Sequence, residues 1–95
     1  MEQKMQLQHP TGKKAISMDT EKYELLKKAV LNCLKKEDAL THKEMYKMIT
    51  ESFKKSKTKF VGSVEWHMEW VKLDLEARKE IKRVSDSSPI KFKLA

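Results

Sequence analysis

The side chains that could perform acid–base or metal chemistry are few and far apart in this sequence. The three histidines are His9, His42 and His67, and none lies four residues from another histidine or from the single cysteine. Two metal ligands on one helix need that spacing, because residues four apart share a face. His67 and Asp74 fall on one side of a predicted helix, where solvated side chains are expected. The sequence therefore predicts no metal site.

The single thiol is not placed for catalysis. Cys33 falls on the apolar face of the first predicted helix, and no histidine or basic group is placed to activate it. A nucleophilic cysteine needs such a neighbour to lower its pKa. Two glycines leave no glycine-rich phosphate loop, and exposed glutamates lack the raised pKa of an acid catalyst. We therefore expect a non-enzymatic protein without a cofactor.

Positive charge is the strongest functional signal in the chain. Lys and Arg number 21 against 14 Asp and Glu, a net charge of +7, which leaves nucleic acid open as a partner. Two groups of basic residues could contact phosphates. The first group, here called the connector lysines, consists of Lys54, Lys55, Lys57 and Lys59. The second group lies on a predicted hairpin and consists of Lys82, Arg83, Lys91 and Lys93.

The third predicted helix does not share this charge. Between Ser63 and Glu80 it holds five acidic and three basic residues, a net charge of −2. DNA phosphates would repel such a helix from the major groove. Arg78 and Arg83 are the only arginines, so bidentate reading of guanine is not expected. The sequence predicts weak binding to double-stranded DNA, with low sequence preference, through the connector and the hairpin. A solvated loop is the alternative interpretation of the connector.

A stripe of large apolar residues on the third helix suggests an alternative function. Trp66, Trp70 and Leu73 recur at helical spacing. Exposed aromatic anchors dominate the energetics of protein interfaces. The alternative function is therefore a protein-interaction or homodimerisation module. The stripe has a structural interpretation as well, in which the hairpin and the N-terminal segment cover it.

Apolar periodicity and capping residues predict three helices. Their capping residues accept hydrogen bonds from the free N–H groups of the first turn, and the second has the Thr41–Glu44 capping-box pattern. The predicted bounds are Asp19 or Thr20 to about Lys36, Thr41 to about Lys55, and Ser63 onward. The predicted core comprises Tyr23, Leu26, Val30, Leu34, Leu40, Met45, Ile49, Phe53, Val64, Met68, Val71, Leu75, Ile81 and Phe92.

The end of the chain changes to strand patterning. Ile81–Val84 and Ile90–Leu94 predict a hairpin joined by a turn at residues 85–89, with Ile90, Phe92 and Leu94 pointing inward. Leu40 can add a short strand. This order predicts a mainly α fold with a C-terminal β-hairpin, that is, a winged helix. The competing architecture is a three-helix bundle with a frayed tail.

Domain organisation and location follow from length and composition. Ninety-five residues fit one domain, predicted to occupy residues 15–95 after a mobile lead-in at residues 1–14. No signal-peptide core or long apolar run is present. With one thiol, the expected location is the cytoplasm, without a membrane partner.

The run Val71-Lys72-Leu73-Asp74-Leu75-Glu76-Ala77-Arg78, followed by Ile81–Val84, is similar to a known family. It resembles a small, uncharacterised bacterial family of winged-helix-like proteins. The similarity extends from about Ile16 to Leu94 and includes Gly62-Ser63-Val64-Glu65-Trp66 at the start of the third helix. It implies a winged-helix fold and no particular chemistry, since such folds host several functions. The chain departs at Lys79, where glycine is expected to end the helix.

Overall fold

The computed structural model describes residues 3–84 and 89–95. Three helices and five strands lie in these two ranges. In chain order they are β1 (Lys4–Gln6), β2 (Ser17–Asp19), α1 (Thr20–Lys36), β3 (Leu40–Thr41), α2 (His42–Lys55), α3 (Val64–Ala77), β4 (Ile81–Val84) and β5 (Lys91–Leu94). None of these helices is both long and apolar enough to cross a membrane.

The strands form two antiparallel sheets. In the first, β1 pairs with β2 and Met5 lies opposite Met18. In the second, β5 lies between β3 and β4, with Leu40 and Arg83 on either side of Phe92. The second sheet therefore joins the connection between α1 and α2 to the end of the chain.

The predicted mainly α fold with a C-terminal hairpin, interpreted as a winged helix, is wrong. The described chain is 51% helix and 18% strand, and strands in two sheets lie at both ends. The first strand escaped prediction because Lys4, Met5 and Gln6 include none of the β-branched or aromatic residues that favour strands. Residues 1–14, which were predicted to be a mobile lead-in, therefore contain strand β1. The competing bundle with a frayed tail is also wrong, because that tail forms β5.

The predicted helix starts are confirmed. The Asp19 carboxylate accepts from the Glu21 and Lys22 amides at 3.0 and 3.2 Å. Thr41 and Glu44 form the reciprocal capping box, with distances of 3.1 and 2.9 Å. Each of these bonds joins residues within three positions of one another, which is why a short stretch of sequence was sufficient to predict them.

Helices α2 and α3 are each followed, two residues after their last helical residue, by a lysine in the left-handed region. Lys57 has φ 54° and Lys79 has φ 62°. In each case the amide of the next residue donates to the carbonyl five residues back, from Thr58 to Phe53 and from Glu80 to Leu75, both at 2.9 Å. This is the Schellman arrangement, in which glycine is the usual residue. The backbone at position 79 has the left-handed conformation for which glycine was expected, although the residue there is lysine.

The buried core is close to the prediction. All of the predicted core residues are buried except Val64, which is partly buried in the first turn of α3. Cys33 is buried as expected. Leu7 and Met18, which were not predicted, are 2% and 3% exposed. Both belong to the N-terminal hairpin or its continuation, so the missed strand pairing also hid two core residues.

The C-terminal hairpin differs in detail from its prediction. Strand β5 begins at Lys91, and Ile90 is 46% exposed instead of pointing inward. Phe92 is buried and Leu94 is partly buried, as the alternation indicated. The predicted turn falls largely on residues 85–88, which lie outside the described residues.

Asp74 lies at the centre of the fold and not on the solvated side of α3. Its carboxylate, 0% exposed, accepts from the Tyr23 hydroxyl, from Arg78 Nε at 2.9 Å and from the Gln8 amide at 2.8 Å. Tyr23 comes from α1 and Gln8 from the segment after β1. Helical periodicity could not predict this burial because two of the three partners are distant in sequence.

Candidate nucleic-acid interface

The connector lysines are all exposed. Lys54 and Lys55 end α2, and Lys57 and Lys59 lie in the segment before α3. The left-handed φ of Lys57 turns the chain sharply just after the helix. Four positive charges within six residues, with solvent access at each, provide a surface that can neutralise several phosphates.

Lys22 of α1 extends the positive charge at this end of the molecule. Its Nζ lies 5.6 Å from the centroid of the Phe60 ring, and Phe60 directly follows the connector lysines. This distance is within the range of a cation–π contact. Helical periodicity does not predict this contact, because Lys22 and Phe60 belong to different segments of the chain.

The outer face of the second sheet carries a second basic group. Lys82 of β4 lies directly opposite Lys93 of β5, and Lys91 is two residues before Lys93 on the same face. We call these three residues the sheet-face lysines. Like charges directly opposite each other on a sheet destabilise it. A bound anion would relieve the repulsion between Lys82 and Lys93.

Lys91 also contributes to the electrostatics of the start of α2. The pKa of Glu44 is lowered mainly by the hydrogen bond from the Thr41 amide, with a further contribution from the nearby charge of Lys91. Lys91 remains exposed, but part of its field acts on Glu44. Lys82 and Lys93 are therefore the main phosphate candidates on this face.

Arg83 does not join the other basic residues. Its Nε lies 2.9 Å from Glu76 Oε1, and its guanidinium carbon lies 5.6 Å from the Phe92 ring centroid. Strand alternation turns it to the face opposite Lys82. Arg83 thus pairs with a carboxylate of α3. The phosphate contact expected for it stays a prediction.

The structure does not bring the two basic groups into one patch. Helix α2 begins beside β3 and ends at the connector lysines. Its 14 residues correspond to a length of about 20 Å. The sheet-face lysines and the connector lysines therefore lie at opposite ends of α2.

The charges of α3 are distributed differently from their order in the sequence. Lys72 is 3% exposed, with its Nζ 3.5 Å from Glu69 and 4.2 Å from the Phe92 ring centroid. Burial lowers the pKa of Lys72. Glu65 and Glu69 stay exposed. Lys72 and Asp74, in the second half of α3, are thus both removed from solvent, and the exposed charges of the first half are the carboxylates Glu65 and Glu69.

His42 completes this cluster at the start of α2. Its Nδ1 lies 3.3 Å from Glu69 Oε2. Burial lowers the pKa of His42, the charge of Lys72 lowers it further, and Glu69 opposes both effects. The neutral imidazole therefore predominates, and this contact between α2 and α3 offers no positive site.

The two tryptophans differ in exposure. Trp66 is 50% exposed, whereas Trp70 is partly buried and packs against the core. Their ring centroids lie 6.4 Å apart at an interplanar angle of 64°. Leu73, the third residue of the predicted protein interface, is half-buried. The stripe is thus partly buried at Trp70 and Leu73 and open at Trp66.

An aromatic cluster not found from the sequence joins Trp66 to the connector. The His67 ring lies 4.9 Å from Trp66 and 5.1 Å from Phe60, edge to face in both cases. His67 Nδ1 donates to the Ser63 carbonyl at 2.7 Å, since a carbonyl only accepts. The available sequence signal was Phe60, an aromatic residue directly after the connector lysines.

Groups suited to catalysis are scattered. Burial raises the pKa of the Cys33 thiol, which disfavours the reactive thiolate. Among residues 3–84 and 89–95, no group of three or more His, Cys, Asp or Glu side chains is placed to hold a metal ion. The arrangement described here can attract anions and stack aromatic rings.

Comparison with known proteins places the chain in a family without assigning a role. No curated protein matches it, and no solved structure matches it. A family model does match, over residues 4–92, and that range includes β1 and the first half of β5. The chain therefore belongs to DUF6958, a family of unknown function.

Proposed function

We propose that this protein is a non-enzymatic, DNA-associated domain that binds phosphates with low sequence preference. The observation that carries the proposal is the direct opposition of Lys82 and Lys93 on an exposed sheet face. Such a pair lowers the stability of the sheet, and a DNA backbone would compensate it. The connector lysines supply a second point of contact.

Low sequence preference is supported by the ion pairs that the two arginines form within the protein. Arg78 Nε lies 2.9 Å from Asp74, and Arg83 Nε lies 2.9 Å from Glu76. Arginine bidentate to guanine is the commonest specific base contact, and both guanidinium groups are already paired. Lysine contacts to phosphate position a protein on DNA but read little sequence.

The location proposed for this function is the bacterial cytoplasm. The resemblance described above supports the bacterial origin. The single thiol, which is buried in α1, is compatible with a reducing compartment.

The proposal is tested by fluorescence anisotropy with mixed-sequence DNA at several salt concentrations. If about five phosphates are neutralised on a duplex, log affinity falls against log salt with a slope of about −4.5. The double variant Lys82→Glu/Lys93→Glu is expected to bind more weakly and with a shallower slope.

The matched control is Lys28→Glu/Lys35→Glu, which makes the same change of charge at two exposed lysines of α1. We expect this control to weaken binding much less than the sheet-face variant. Equal weakening by both variants would mean that net charge alone drives binding. No binding at low salt would reject the proposal.

A second candidate function, a protein-interaction or homodimerisation module, is favoured by the half-exposed indole of Trp66. In this alternative, Trp66, Trp70 and Leu73 contact a second copy or another protein. Sedimentation equilibrium over a range of concentrations separates the two functions. A dimer that Trp66→Ala dissociates would favour the interface, whereas a monomer that binds DNA would favour the first proposal.

A further inference from the structure

Exposed apolar surface and positive charge meet at one end of the molecule. Val61 and Trp66 are 75% and 50% exposed, and Ile90 is the one other exposed large hydrophobic side chain in the described ranges. Val61 and Trp66 flank the start of α3, directly after the connector lysines. Phosphate binding alone would not require an exposed indole beside these lysines.

The Trp66 indole is held in position by its neighbours. Its ring lies edge to face against His67, at an angle of 79°, and against Trp70, at 64°. His67 is in turn anchored by its bond to the Ser63 carbonyl. A side chain already fixed in this way loses little conformational freedom when a ligand stacks on it.

Gly62 shapes the path between the connector and the indole. Its φ is +99°, and a Cβ at this position would lie 3.1 Å from Cε1 of His67. Any other residue would both strain the backbone and displace the imidazole that supports Trp66. The close approach of the chain to His67 brings the connector next to the aromatic cluster.

The two flanks of Trp66 carry different charges. At about 100° per residue, Glu65 and Glu69 lie on one side of Trp66 and His67 lies on the other. His67 contacts Phe60, where Lys22 approaches and the connector ends. A nucleic-acid backbone is therefore attracted to the His67 side and repelled from the glutamate side.

We propose that Trp66 stacks on a base of an unpaired DNA strand whose phosphates lie along the connector lysines. This inference rests on the proposed function and specifies its substrate as single-stranded DNA. A single strand can keep its backbone on the lysine side while presenting a base to the indole. A duplex presents a base only after the base is unpaired and unstacked. Aromatic platforms beside a basic groove are the usual means of binding single strands.

The test compares a labelled thymidine oligonucleotide of about 15 nucleotides, a length typical of single-strand sites, with a duplex of the same length. We expect the wild-type protein to bind the single strand at least about tenfold more tightly, and the strand to quench Trp66 fluorescence. Trp66→Ala should weaken single-strand binding by about 5- to 100-fold, the effect of one stacked base. Its effect on duplex binding should be less than about twofold, since phosphate contacts remain.

Trp66→Phe is the conservative control, because it keeps an aromatic face. It should retain single-strand affinity within about threefold while losing the quenching signal. Should Trp66→Ala fail to fold, quenching that is present in the wild type and smaller in Trp66→Phe tests the inference, because Trp70 is the one other tryptophan. Preference for the duplex, or equal single-strand binding by wild type and Trp66→Ala, overturns the inference but leaves the proposed function intact. Binding to neither polymer rejects both. A dimer held together by Trp66 overturns the inference alone, because that contact would cover the indole and not the sheet-face lysines at the other end of α2.

Discussion

Asp74 is a buried carboxylate that connects three parts of the chain. The Tyr23 hydroxyl, the Arg78 guanidinium and the Gln8 amide all donate to it. Burial, together with the hydrogen bond to Asp74, raises the pKa of Tyr23, so the hydroxyl keeps its proton and remains a donor. A carboxylate removed from water is tolerated when it is surrounded by donors in this way.

Removal of this carboxylate should be much more destabilising than removal of one of its donors. We expect Asp74→Ala to lower the free energy of unfolding by about 3–5 kcal/mol, because it leaves the buried Tyr23 hydroxyl and the Gln8 amide without an acceptor, at about 1–3 kcal/mol each. Tyr23→Phe, which leaves two donors on Asp74, should lower it by about 1–2 kcal/mol. Urea denaturation followed by circular dichroism measures both. Losses of equal size would show that the three bonds are not centred on Asp74.

At the scale of elements, the ends of α2 and α3 form a natural pair. Both are Schellman ends with lysine in the left-handed position, at Lys57 and Lys79. A side chain with a Cβ is disfavoured there by about 1–2 kcal/mol relative to the right-handed conformation. Lys57 belongs to the connector that we propose binds DNA, whereas Lys79 lies at the other end of α3.

Substitution of glycine for Lys57 or Lys79 should have the same effect on stability but different effects on DNA binding. We expect both Lys57→Gly and Lys79→Gly to raise the free energy of unfolding by about 0.5–1 kcal/mol, the net of relieved strain and added chain entropy. Lys57→Gly should also weaken DNA binding and reduce the salt slope by about 1, as expected for one lost phosphate contact.

Lys79→Gly is the control for this comparison and should leave DNA binding unchanged. Thermal melts report the stability of each variant, and anisotropy titrations at several salt concentrations report its binding. If Lys57→Gly is stabilised but binds DNA as tightly as the wild type, Lys57 makes no contact with phosphate.

At the scale of the whole molecule, the N-terminal hairpin is part of the domain. Leu7 is 2% exposed, its amide donates to the Ile16 carbonyl at 3.0 Å, and the next amide donates to Asp74. The segment before α1 is thus attached to the core by an apolar side chain and by backbone hydrogen bonds.

We expect Leu7→Ala to lower the free energy of unfolding by about 2–4 kcal/mol, the range for truncating a buried leucine. The control Lys13→Ala, in the exposed loop between β1 and β2, should change it by less than about 0.5 kcal/mol. Chemical denaturation provides both values. If the Leu7→Ala protein is as stable as the control, the segment before α1 does not stabilise the domain and behaves as the predicted mobile lead-in.

The sequence was most informative where partners are close along the chain. Caps at Asp19, Thr41 and Ser63 rest on bonds within three residues, so the helix starts were predicted correctly. The core was predicted nearly in full because helical periodicity alone separates a buried face from an exposed one. The exception, Val64, lies in the first turn of α3, where a helix is only partly covered.

Sequence reasoning failed where partners are distant along the chain. Strand β1 is stabilised by pairing with β2, and no residue in Lys4–Gln6 favours a strand by itself. Asp74 had the polarity of a surface residue and is buried by donors from α1 and the N-terminal segment. Lys72 was counted with the exposed charges of α3 and is covered by Phe92 of β5.

By itself, then, the sequence determined the three helices, most of the core, the strong positive charge and the positions of the basic residues along the chain. Only the tertiary structure decided that strands lie at both ends, that the two basic groups are a helix length apart, and that Trp66 stays open while Trp70 is covered. The physical reason is the range of the interactions. Caps and periodicity act within one or two turns of a helix, whereas strand pairing, burial of charge and surface exposure depend on which distant segments meet.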